Sequence, residues 1–218
     1  MERQADAEFR GLKRKLGSMG LLVEEAVGLA VEGLVTHDDA KFRRVFELEE
    51  QINRYHREVD DDCLGLLARQ APVATQLRLV VAILKANSDL ERMGDQARNI
   101  AYAGQAYHKG KVLDSLYGIP QMALDVRHMV TQSLEAFVSY DLDKAKVVLK
   151  LDDGVDALNA QLARDLLSKM ASDPSLVDSG MRLILIGRNL ERIGDHATNI
   201  AEDAIFVCTG EDVRHDTP

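Results

Sequence analysis

The sequence predicts an all-α protein made of two tandem three-helix bundles, six long antiparallel helices related by internal duplication. Three observations carry this. A twelve-residue segment recurs 100 residues on, as LERMGDQARNIA at 90–101 and LERIGDHATNIA at 190–201, with nine of twelve positions identical; chance does not produce that agreement, and so long a period points to a unit of several elements. Apolar residues recur at helical spacing through most of the chain. Aromatic residues make up only 5% and Trp is absent, a composition poor in sheet formers and rich in Ala, Leu, Arg, Lys and Glu.

The first helix is expected over 2–36, with Leu12, Leu16, Met19, Val23, Ala26, Val27, Ala30 and Leu34 as its buried stripe. Asp38 caps the next, over 39–69, whose core face carries Val45, Leu48, Ile52, Tyr55 and Val59. The third runs over 73–107, after Pro72, and ends with the signature. A linker over 110–118 follows, bracketed by Gly110, Gly118 and Pro120. The second half repeats the scheme over 120–140, 141–170 and 174–207, with Asp141 and Asp173 as caps and Pro174 at a first helical position. The units are therefore 1–109 and 119–209, with a flexible tail over 210–218. Helices of this length span about 45 Å at 1.5 Å per residue, and short loops make neighbours antiparallel.

A net charge of −9 repels phosphate backbones, and the few aromatics make no stacking platform, so nucleic acid is excluded as a partner. Residues 1–6 carry no apolar signal core, and the most apolar runs, 77–84 and 181–186, are too short for a membrane span and contain Arg78 and Arg182. Cys63 and Cys208 form no CxxC and are expected as two buried free thiols in a reducing cytoplasm. No P-loop, GxSxG, HExxH or Glu-x-x-His is present; the chain is expected to bind partners, not to catalyse.

The candidate site is acidic. Glu91, Asp95 and Asn99 are spaced i, i+4, i+8, as are Glu191, Asp195 and Asn199, and they fan across roughly 80° of a face away from the core stripe. Like charges at i, i+4 repel, so something offsets them: neighbouring Arg92 and Arg192, or a bound cation. The second helix of each half brings Glu49 with Asn53 and Asp152 with Asp156 at the same spacing. Antiparallel packing places each pair against the signature of its own half. Four oxygen-bearing groups on two helices suit a surface cation, with magnesium, calcium, manganese, iron and zinc all acceptable; a solvated acidic face paired with arginines is the competing reading. Gly94 and Gly194 at the edge of the core face point to close helix packing. His196 is read as a surface residue or an auxiliary ligand, because its counterpart is Gln96.

The duplicated LERxGDxAxNIA segment, closing two three-helix units, resembles the PhoU family over about residues 5–215, and the second-helix segments EEQIN and DDGVD are similar to that family's acidic pattern. The resemblance implies a cytoplasmic regulator of phosphate uptake and phosphate-starvation signalling. Such a protein binds the ATPase subunit of a phosphate ABC transporter and a membrane histidine kinase, is peripheral to the membrane through them, restrains uptake when phosphate is plentiful, and forms a homodimer. It also implies iron or zinc held by paired acidic motifs, falling here on Glu91 and Asp95, Glu191 and Asp195, and Asp152 and Asp156; Asn53 replaces a carboxylate and weakens the first-half site. A metal-binding bundle with a storage or redox role is the alternative.

Overall fold

The computed structural model describes residues 2–211 and 213 of the chain, with side chains from residue 7 onward. Six helices follow in order: α1 (Glu2–Thr36), α2 (Asp39–Gln70), α3 (Thr75–His108), α4 (Ile119–Ser139), α5 (Leu142–Ser172) and α6 (Val177–Thr209). A 3-10 turn, Pro174–Leu176, precedes α6, and no strand occurs among the described residues.

Local chemistry sets the helix ends. Asp38 accepts from the Ala40 amide, and Asp141 from the amides of Asp143 and Lys144, so the matching acids cap α2 and α5. Asp173 accepts from Ser175, but the residues it caps form the 3-10 turn, and α6 begins three residues later than the proline suggested. The first half has no such cap: Ala71 precedes Pro72 and offers no side-chain acceptor, and α3 starts only at Thr75 behind Ala74 at φ 50. Gly210 closes α6 at φ 83, a left-handed conformation that glycine adopts without steric cost. The linker is anchored, because the buried Leu113 donates its amide to the Tyr107 hydroxyl at 2.8 Å.

The expected stripe of α1 is buried throughout, with Leu16, Met19, Val23, Ala26, Val27 and Ala30 at 0% exposure. On α2 the buried row includes Phe42, Val45, Leu48, Ile52 and Val59. Cys63 is buried as expected, but Cys208 is exposed, at the last turn of α6; a residue so near a helix end faces the edge of the bundle, not its core.

The two bundles fuse into one body through α3 with α6 and α1 with α4. The glycines of the third helices face their own half: Gly94 and Gly104 of α3 meet Ile52 and Phe42 of α2, and Gly180, Gly187 and Gly194 of α6 meet Met170, Leu162 and Asp152 of α5. Each third helix thus packs on its own half and, on another face, on its sister. The sisters run antiparallel: the Arg78 guanidinium lies over Phe206, Lys85 Nζ is 3.7 Å from Asp203, and Asp89 reaches His196. Between α1 and α4, Glu24 accepts from Arg127 at 2.9 Å and Thr131 at 3.2 Å.

Candidate functional site

Each half brings its second helix against its third, as antiparallel packing requires, and the mid-helix glycine of the third meets acidic Asp152 in the second half but apolar Ile52 in the first. A Cβ added at Gly194 would lie 3.1 Å from Asp152 Oδ1; one added at Gly94 would lie 3.0 Å from Ile52 Cδ1. The glycines open the space into which the second helix settles.

In the second half Asp152 is half-buried and its Oδ1 is buried with no hydrogen-bond partner. Burial, then the charges of Asp156, Asp195, Asp153 and Glu191, push its carboxyl up to about 7. Glu191 is raised by burial and by Asp195 and Asp156, with Arg188 opposing; Asp195 is raised by burial and by Asp156, with His196 and Arg192 opposing. Asn159 donates to Glu191 Oε2 at 2.9 Å. Asp152, Glu191 and Asp195 are thus held at elevated proton affinity, with Asp156 among the charges that raise them and one Asp152 oxygen left unsatisfied.

The first half is built differently. Glu49 is buried at 5% exposure, not set at the surface as expected. Its Oε1 accepts from Asn53 Nδ2 at 2.7 Å and from Arg98 Nη1 at 2.6 Å, while Arg98 Nη2 lies 3.0 Å from Asp95. Arg98, not Arg92, offsets the charge. Its guanidinium bridges Glu49 of α2 and Asp95 of α3, and is the cation of this site. Thr198 stands at the corresponding place in the second half and turns its hydroxyl onto the Asp195 carbonyl at 2.7 Å. Glu91 is half-buried and makes no hydrogen bond or ion pair among the described residues.

The asparagines do not join the acidic groups. Asn199 Nδ2 donates to Asp89 Oδ1 at 3.2 Å, across to the other half. Asn99 is exposed and lines a groove between α3 and α6. An i+8 residue is two turns away and has rotated toward the sister helix, which a single-helix wheel does not contain. His196 is likewise no ligand of the cluster: Nδ1 sits 2.8 Å from Asp89 Oδ1, with both side chains about 15% exposed or less. Neither Asp89 nor Arg98 was singled out by the sequence reading. The available signal lay in the differences between the copies, since Gln96/His196 and Arg98/Thr198 are two of their three mismatches.

Among the described residues no group of three or more His, Cys, Asp or Glu is arranged to hold a metal ion. The donor chemistry separates the halves. The first does not fit, because Arg98 and Asn53 already satisfy Glu49. The second fits in donor type: four carboxylates face one another with no guanidinium bonded among them, and Asp152 Oδ1 is orphaned.

A two-fold repeat of three-helix units, with acidic pairs on the second and third helices and no helix among the described residues long and apolar enough to cross a membrane, defines a duplicated helical-bundle protein. The sequence model of the PhoU domain matches residues 16–103 and 119–204. The chain is 38% identical to the phosphate-specific transport system accessory protein PhoU homolog of Pseudomonas aeruginosa, over 99% of this chain and 89% of that one. It is 31% identical to PhoU homolog 1 of Thermotoga maritima, over 96% and 90%. The crystal structure of PhoU from Pseudomonas aeruginosa superposes with a TM-score of 0.90 at 36% identity, covering 94% of this chain and 99% of that one. The phosphate transport system regulatory protein PhoU from Streptococcus pneumoniae superposes at 0.88 with 28% identity, covering 96% and 99%. The chain belongs to the PhoU family.

Proposed function

We propose that the chain is a cytoplasmic accessory regulator of phosphate uptake. It acts by binding the ATPase subunit of a phosphate ABC transporter and the linked histidine kinase, and it restrains uptake and starvation signalling when phosphate is plentiful. The observation that carries this is the end-to-end similarity to proteins named for the phosphate-specific transport system. The architecture supports a binding role: long rigid helices offer extended faces, and docking that favours one conformation of a partner shifts its equilibrium. The test is genetic. Deleting the gene should derepress a phosphate-starvation reporter in rich phosphate and let the transporter be overactive; unchanged repression sinks the reading.

The proposal includes a cation on the second half, held by Asp152, Asp156, Glu191 and Asp195. When bound it supplies positive charge at the place Arg98 supplies it in the first half. The residues themselves bind the ion through oxygen and keep α5 and α6 in register. Hard oxygen donors accept magnesium, calcium, manganese, iron or zinc. A second reading, a metal-storing or redox bundle, rests on the same orphaned Asp152 oxygen. Elemental analysis of protein purified without chelators separates the two: stoichiometric iron with oxidase turnover favours storage or redox work, and exchangeable metal without turnover favours the regulator.

A further inference from the structure

A groove opens between α3 and α6 at one end of their antiparallel crossing, and the duplicated positions at the other end carry different charge. That other end holds Asp89, Glu202 and Asp203: His196 and Asn199 hold Asp89, and Lys85 lies 3.7 Å from Asp203. At the groove the corresponding positions are Asn189, Tyr102 and Ala103, so three carboxylates are gone. Arg182 and Arg188 stand where the other end has Ala82 and Ser88, and Arg192, which matches Arg92, completes the set.

The groove encloses about 490 Å³, and no Asp or Glu lines it. Arg188 and Arg192 are exposed and make no hydrogen bond or ion pair among the described residues. They act on Glu191 and Asp195 only at longer range, as opposing charges. Arg182 has Asp178 one turn back along its own helix, at 3.7 Å. Asn189 spends one amide hydrogen on the Leu185 carbonyl at 2.6 Å, and Asn99 is uncommitted. In a chain of net charge −9, three guanidinium groups and two amides around one open space, with no acid among them, form a local reversal of sign.

We infer that this groove is a binding site for a small phosphoryl anion. Guanidinium groups match the paired oxygens of a phosphoryl group in charge and geometry, and carboxamides add neutral donors. The groove holds more than a single phosphate ion, so chained phosphates and nucleotide phosphates belong to the same class. The inference is independent of the proposed regulatory role, since it rests on the groove alone.

Isothermal titration of the full chain at physiological ionic strength tests it, with inorganic phosphate, pyrophosphate and ATP as separate probes. At least one should bind saturably, and which one distinguishes the free anion from chained or nucleotide phosphate. Arg188→Gln and Arg192→Gln should each weaken that binding about tenfold, the fold-change of one lost charge-assisted hydrogen bond. Asn189→Asp, which copies the carboxylate of the matching position Asp89, should weaken it at least as much. Arg54→Gln and Arg57→Gln on α2, which do not line the groove, should leave it unchanged. The four arginines substituted, Arg188, Arg192, Arg54 and Arg57, are exposed, so circular dichroism should show intact folds. Absence of saturable binding by all three probes at millimolar concentration overturns the inference, as does binding that survives Arg188→Gln with Arg192→Gln.

Discussion

Arg98 Nη1 donates to Glu49 Oε1 over 2.6 Å, joining α3 to α2 at a carboxylate that is almost wholly buried. The second half places Asp152 where the first has Glu49, and Thr198 where it has Arg98. One half therefore carries its own positive charge and the other does not. That asymmetry separates a finished structural contact from a site with unmet electrostatic demand.

Arg98→Thr copies the second-half arrangement into the first. It leaves Glu49 buried with Asn53 alone, at an expected cost of about 2–3 kcal/mol, below the range for a fully buried pair because Arg98 itself is partly exposed. Urea unfolding measures this. Adding Glu49→Gln should recover most of the loss, and a double variant no more stable than Arg98→Thr would show that the ion pair is not the cause.

Asp152 makes stability depend on pH with a defined sign. Its carboxyl titrates at about 7 in the folded protein against 3.8 unfolded. A raised acid favours folding below the unfolded value, and the contribution is lost as pH rises through 7. Asp152→Asn should therefore stabilise the protein at pH 8 by about 1–2 kcal/mol, the full shift being discounted for solvent screening. The advantage should vanish near pH 4, as unfolding curves at the two pH values would read. A gain independent of pH contradicts the assignment.

Adding manganese or zinc at pH 8 should raise the melting temperature of the parent chain. The same addition should do little for Asp156→Asn combined with Glu191→Gln, and Arg98 should keep the first half indifferent to metal. A rise of equal size in parent and variant would place the ion elsewhere.

Asp89 ties the two halves together, accepting from His196 and Asn199. Asp89→Ala strands two half-buried donors and is expected to cost about 1–3 kcal/mol in urea unfolding. The same change at exposed Asp61 should stay within about 0.5 kcal/mol.

Two glycines on helices differ in what surrounds them. A Cβ at Gly104 would lie 2.6 Å from Cζ of fully buried Phe42, whereas a Cβ at Gly154 meets nothing within 4 Å. Gly104→Ala should destabilise by about 1–3 kcal/mol through overpacking, and Gly154→Ala should stabilise by about 0.5–1 kcal/mol through helix propensity. Thermal melts of the two variants should move in opposite directions.

The six helices, the duplication, the caps at Asp38 and Asp141, and the buried stripe of α1 were legible along the chain. These depend on period and on neighbours a few residues away, and both are written along the chain. The approach of Asp152 and Asp156 to Glu191 and Asp195 was legible too, because antiparallel packing leaves little choice. Contacts between helices distant in sequence set the rest: Arg98 neutralises Glu49, Asn199 and His196 turn to Asp89, and Arg182, Arg188 and Arg192 ring an open groove. A helical wheel fixes the face a side chain occupies, but its partner is set by which helix crosses there and in which direction. The packing of α2 on α3 and the antiparallel crossing of α3 over α6 made those assignments.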